Sequence, residues 1–118
     1  MSVRKTLCRL ADIPDGGAIA LDLPAESANA AEAYADSLIL LRQAAQVFAY
    51  RNVCPHAGRR LDWAPGRFLI ENSHLICASH GAVFAIASGL CVDGPCRGES
   101  LAALPIEIVG DEVHLAQL

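Results

Sequence analysis

Two mixed cysteine and histidine pairs restrict this chain of 118 residues more than any other feature it carries. Cys54 and His56 stand two apart in "CPHAG"; after twenty intervening residues, Cys77 and His80 stand three apart in "CASHGAVF". Pro55 keeps the first pair on an extended turn, because the residue before a proline is driven out of the helical region. Gly58 follows the first pair closely and Gly81 follows the second directly, so both turns bend sharply and let backbone N–H groups approach a bound group. Four ligand-type side chains on two such turns make a closed metal site, and the fold must bring the turns together.

The metal follows less directly. Zinc accepts two thiolates and two imidazoles, but its usual structural spacing places both cysteines in one pair and both histidines in the other. Here each pair is mixed. Mixed pairs suit a two-iron, two-sulfur centre in which one iron is held by both thiolates and the other by both imidazoles, each turn giving one ligand to each iron. The cysteine count agrees with metal or redox chemistry: Cys8, Cys54, Cys77, Cys91 and Cys96 form an odd set, a poor basis for a disulfide framework.

Composition bounds the remainder. Hydrophobic residues are 53% and charged residues 19% of the chain, enough for one compact domain over residues 1–118 and too little chain for a second core. Nine basic against thirteen acidic residues give a net charge of -4, so no basic field grips nucleic acid or an anionic membrane. No apolar run has the length of a membrane span, and "MSVRKTLCRL" lacks the apolar centre of a secretory signal, which makes a cytoplasmic protein the expectation.

The chain reads as short strands. "LPIEIVGDEVHL" alternates about Gly110 and Asp111 as a hairpin, and residues 38–42 and 46–51 form a second one. Further runs at 2–9, 17–23, 68–71, 74–77 and 82–86 complete an all-β sandwich or barrel. Residues 25–37, "AESANAAEAYADS", break the pattern as a surface loop with helical turns capped by Ser27, or as a partner-docking element.

The paired motifs, with a glycine after each, resemble the cluster-binding signature of Rieske [2Fe-2S] proteins, and "GLCVDGPCRGESLAALPIEIVGDEVHL" is similar to the stretch that follows in small Rieske ferredoxins. The resemblance spans roughly residues 38–118. It implies an antiparallel β-sandwich carrying a small cluster-binding subdomain of two loops, at about 52–97. It implies one [2Fe-2S] cluster per chain, with Cys54 and Cys77 on the buried iron and His56 and His80 on the outer iron at the exposed tip. Around it stand Gly58, Gly81, Phe84 and a Gly94-Pro95 loop that covers the cluster. High-potential relatives carry a disulfide between the loops, a Ser and a Tyr. The matching positions here are Arg59 or Arg60 and Ser79, Ala82, and Phe84, so a potential near the bottom of the Rieske range is expected, with pH dependence in the alkaline range.

The implied function is a non-enzymatic, one-electron ferredoxin between a reductase and a terminal oxygenase. Two alternatives stay open: a small Rieske subunit of a larger reductase, similar to that of nitrite reductase, and a zinc-stabilised interaction module. Cys91 and Cys96 are expected to pack beside the cluster, a second metal or a disulfide being the other readings. His74 and His114 are expected to face solvent. Arg59, Arg60, Trp63 and Arg67 read either as a basic, aromatic rim for an acidic redox partner or as a solvated loop with Trp63 packed on the subdomain.

Overall fold

The structure is a computed structural model and describes residues 5–22, 37–55, 61–64, 67–77 and 81–115. Among the described residues, ten strands run antiparallel in three sheets. β1 (Lys5–Arg9), β10 (Glu112–Leu115) and β9 (Ile106–Val109) form one, in that order. β2 (Ala18–Asp22), β3 (Ser37–Gln43) and β4 (Gln46–Arg51) form the second, and β5 (Leu69–Glu71), β6 (His74–Ile76), β7 (Val83–Ala85) and β8 (Cys91–Asp93) the third. Both expected hairpins are present, and the five further runs each contain a strand. The expected helical turns at 25–37 lie outside the described residues except for Ser37, which opens β3. Among the described residues no helix is long and apolar enough to cross a membrane.

The middle sheet explains the continuous apolar run "SLILL". A strand sends alternate side chains to opposite faces, so a strand buried on both faces must be apolar throughout. On β3, Ile39 and Leu41 join one core and Leu40 the other; on β4, Phe48 and Tyr50 face the first core, Val47 and Ala49 the second. The second core lies against the β1-β10-β9 sheet and holds Ile13 and Val113, completing the sandwich. The first core lies against the β5-β6-β7-β8 sheet and holds Cys54, Cys77, Cys91 and Cys96. Every cysteine of the candidate site and its surroundings therefore sits on one side of the central sheet.

Turns set the register. Asn72 and Ser73 both take positive φ, 49° and 63°, the requirement of a two-residue type I′ hairpin between β5 and β6. Tyr50 ties the central sheet to the small one: its hydroxyl donates to the carbonyl of Ile86 at 2.5 Å, and burial raises its pKa. The ring lies against Gly89, where a Cβ would come within 2.7 Å of Tyr50 Cε1 at a φ of +74°. Tyr50→Phe keeps the ring and strands a buried carbonyl, so it should cost about 1–2 kcal/mol. Thermal unfolding checks this, and an unchanged midpoint would show that the hydroxyl contributes nothing.

Candidate metal centre

The first ligand loop leaves the end of β4 and is held at its base by Asn52. This residue is 2% exposed. Its Oδ1 accepts from Leu61 N at 2.7 Å, its Nδ2 donates to Ser37 Oγ and Asp62 Oδ1 at 3.3 Å each, and its backbone N–H donates to Ser37 O at 2.9 Å. One buried amide thus joins the start of β3 to both ends of the segment 53–60. Cys54 follows two residues later, 1% exposed. His56, Gly58, Arg59 and Arg60 lie outside the described residues. Sequence reasoning missed Asn52. The available signal was its residue type, since Asn hydrogen-bonds loop backbone readily, placed two positions before the first pair. Asn52→Ala leaves Leu61 N without its acceptor and should lower stability by about 2 kcal/mol, measured by denaturant unfolding.

The second loop leaves β6 and returns on β7. Cys77, 1% exposed, receives a hydrogen bond from Gly81 N to its carbonyl at 2.9 Å, and its own N–H donates to Ala82 O at 2.7 Å. Gly81 has a φ of +74°, a left-handed turn that glycine adopts without a Cβ penalty. These bonds close the loop at its base; Ser79 and His80 between them lie outside the described residues. Ala82 and Phe84 are fully buried in the same core as both cysteines.

A third loop follows β8 and lies on the second. At Gly94, φ +100°, a Cβ would stand 2.7 Å from Ala82 Cα and 3.2 Å from Gly81 O, so backbone rests on backbone there and only glycine fits. Gly98 N donates to Cys91 O and Cys91 N to Glu99 O, holding the loop on the strand, while Pro95 is exposed at its tip. Cys91 and Cys96 are buried within it, their sulfurs 3.2 Å apart, and none of the five cysteines is in a disulfide. Both lie in the core that also holds Cys54 and Cys77, although β8 itself was not read from the sequence. Burial, then the hydrogen bond to Cys91 and the charges of Cys91 and Cys54, push the Cys96 thiol up to about 12.

Two surface readings change. Trp63 is 56% exposed, with the Arg67 guanidinium 5.9 Å from its ring centroid, so it is not packed into the subdomain, while Arg59 and Arg60 of the expected rim lie outside the described residues. His114 was expected in solvent, but its side chain is only 15% exposed. β10 is the middle strand of its sheet, so Thr6 and Glu107 flank His114 from both sides, and its Nε2 lies 3.0 Å from Glu112 Oε1. His74 is half-buried at the β5–β6 turn, its Nδ1 2.7 Å from Asn72 O.

Cys54 and Cys77 thus lie buried in one core, the first just after β4 and the second at the base of the loop between β6 and β7. The model of the Rieske [2Fe-2S] domain matches residues 17–109. The chain belongs to the Rieske [2Fe-2S] domain family. Its cofactor is accordingly a [2Fe-2S] cluster. The match takes in β2 and residues 38–109 of the region of resemblance, and stops before β10. No curated protein sequence matches the chain.

Solved Rieske-type structures share the fold over nearly the whole length. The ferredoxin of carbazole 1,9a-dioxygenase from Nocardioides aromaticivorans IC177 superposes with a TM-score of 0.74 at 24% identity, covering 98% of each chain. The Sphingomonas yanoikuyae B1 ferredoxin superposes with a TM-score of 0.71 at 24% identity, covering 98% of this chain and 100% of that one. A chain from the complex of reduced oxygenase and oxidized ferredoxin in carbazole 1,9a-dioxygenase matches with a TM-score of 0.71 at 20% identity, covering 97% and 93%.

The donor set fits a Rieske cluster on the side that is described. Cys54 and Cys77 present soft sulfur ligands, shut from solvent, within one core. Among the described residues no group of three or more His, Cys, Asp and Glu is placed to hold a metal ion.

Proposed function

We propose that this chain is a one-electron carrier, a low-potential Rieske-type ferredoxin that passes electrons from a reductase to a terminal oxygenase and catalyses no reaction by itself. The observation that carries this reading is mutual coverage: the fold extends from end to end over solved ferredoxins, with little of either chain left over. One of the matched structures is a ferredoxin in complex with its oxygenase, which supports the same kind of partner here.

In this reading residues 1–118 act as one Rieske domain in the cytoplasm, and Cys54, His56, Cys77 and His80 are the cluster ligands. The bound cluster supplies a one-electron couple. The protein's own residues do the rest: Asn52 fixes the first loop, Gly81 and the Cys77 and Ala82 backbone fix the second, and the Gly94 loop shields the sulfur side from water. Trp63 and Arg67 stand exposed beside the first loop, where an acidic partner surface meets both an aromatic face and a positive charge.

The test is direct. Purified protein should be coloured, contain iron and acid-labile sulfide in equal amounts, give a paramagnetic signal after dithionite, and restore electron flow between a reductase and an aromatic-ring oxygenase. A colourless protein holding zinc overturns the cluster. A coloured protein that co-purifies in fixed ratio with a larger reductase, and does not exchange electrons with a free oxygenase, overturns the carrier.

A further inference from the structure

We propose that Cys91 and Cys96 are a redox-active thiol pair, which hydrogen peroxide closes to a disulfide that locks the third loop over the second ligand loop. The disulfide stands on the geometry of this pair; its effect on the bound cluster rests on the reading of Cys77 as a ligand.

The two sulfurs already face each other. Cys96 Sγ donates to Cys91 Sγ at 3.2 Å, and Cys91 Sγ donates to Asp93 O at 3.1 Å. A disulfide needs about 2.05 Å between its sulfurs, so closure asks for an approach of roughly 1 Å. The backbone keeps the pair together meanwhile: Cys91 N donates to Glu99 O at 2.8 Å, Gly98 N to Cys91 O at 3.0 Å, and Glu99 N to Cys96 O at 2.9 Å. Other pairings are disfavoured. Cys8 packs in the other core, and in the ligand reading Cys54 and Cys77 are committed to iron.

Burial keeps both thiols inert while the loop is seated: Cys91 is 1% and Cys96 2% exposed. Their cover is one loop thick, because residues 92–95 and 97–100 are all exposed. A segment with so few buried side chains opens locally, well short of global unfolding, and then admits a small oxidant. One thiolate attacks the peroxide: an S–O bond forms, the O–O bond breaks, and the departing hydroxide takes up a proton to leave as water. The second thiol attacks the resulting sulfenic acid: the S–S bond forms, the S–O bond breaks, and a second water leaves. Two thiols are oxidised, and one peroxide takes up the two electrons. The ring so closed contains Gly94, whose backbone rests on that of Gly81 and Ala82. Restraining it restrains the cover of the loop that carries Cys77.

The test treats the iron-loaded protein with one equivalent of hydrogen peroxide, alkylates it in denaturant and maps the peptides by mass spectrometry. The peptide carrying residues 91–96 should lose two hydrogens and resist alkylation, while Cys8 is alkylated and the iron content holds. Dithiothreitol should restore both thiols. Iron release to a chelator should be about tenfold slower from the linked protein than from the reduced one, and Cys96→Ser treated alike should show no slowing. Cys91 and Cys96 that are both still alkylated after excess peroxide overturn the proposal. So does sulfinic acid at either residue without a link, or a link from either to Cys8, Cys54 or Cys77. Iron lost as the Cys91–Cys96 link forms, or released from the linked protein at an unchanged rate, overturns the lock. The ligand reading fails by a separate sign, full iron in Cys77→Ser, and the peptide map still decides the disulfide.

Discussion

Cys54→Ser and Cys77→Ser are each expected to purify without visible absorption, to contain no iron beyond background, and to unfold at a clearly lower temperature than the unaltered protein. Both sulfurs lie at the floor of the loops with 1% exposure, so no solvent ligand replaces a lost thiolate there. A serine hydroxyl is a hard, largely protonated donor that iron–sulfur chemistry accepts poorly. It is also a polar group in an apolar core, where an unmatched hydroxyl costs about 1–3 kcal/mol. Because the ligands meet only in the folded chain, the binding energy of the metal group is part of the folding energy, and its loss adds to the packing loss. Cys8→Ser is the internal control. Cys8 sits half-buried on β1 against the other core, on the far side of the central sheet, and its replacement should leave iron content and spectrum unchanged. Iron and sulfide analysis on the three variants decides the matter: full loading of Cys54→Ser or Cys77→Ser sinks the assignment of that residue.

The sequence pattern told most where local physics and tertiary structure agree. The alternation about Gly110 and Asp111 needs only a strand period and a turn, and β9 and β10 lie where it places them. "SLILL" shows its double burial openly, since a strand with a core on each face has no polar position to spare. β8 was illegible for the opposite reason. It is three residues long, with two exposed side chains, and its pairing shifts register against β7, so the segment Cys91–Asp93 carries no periodic signal. His114 misled because alternation reports which face a side chain takes, not how closely its neighbours on adjacent strands crowd it.

At the site, residue types and spacing disclosed the ligand candidates, because the chemistry of the metal demands them. Spacing alone left zinc and iron both open, and the family match decides between them. What holds the loops was hidden. Asn52 touches Ser37, Leu61 and Asp62, partners fifteen, nine and ten positions away, and nothing in a linear chain ranks those contacts above others. Gly94 is similar: its glycine is required by the backbone of Ala82, twelve residues earlier, and not by the turn in which it stands.

The double variant Ala82→Ser, Phe84→Tyr should raise the midpoint potential substantially. Both positions are fully buried in the core that holds Cys54 and Cys77, and each presents only carbon there. A hydrogen bond to a charged group contributes about 1.5–3 kcal/mol; if reduction strengthens each new bond by roughly the lower figure, a one-electron couple rises by about 60 mV per donor. Ala82 is anchored by its carbonyl to Cys77 N, and Phe84 lies opposite Leu75 and Cys91 on the neighbouring strands, so neither backbone has freedom to turn a new hydroxyl elsewhere. Phe84→Leu, which changes volume without adding a donor, separates hydrogen bonding from packing and should leave the potential close to its starting value. The two single variants should each supply part of the rise. A double variant that holds its cluster with an unmoved midpoint would show that these two side chains do not face the sulfurs that bind it. A low measured potential would then have to come from solvent reaching the cluster, a cause that deuterium exchange at the Gly81 and Gly94 amides can register directly.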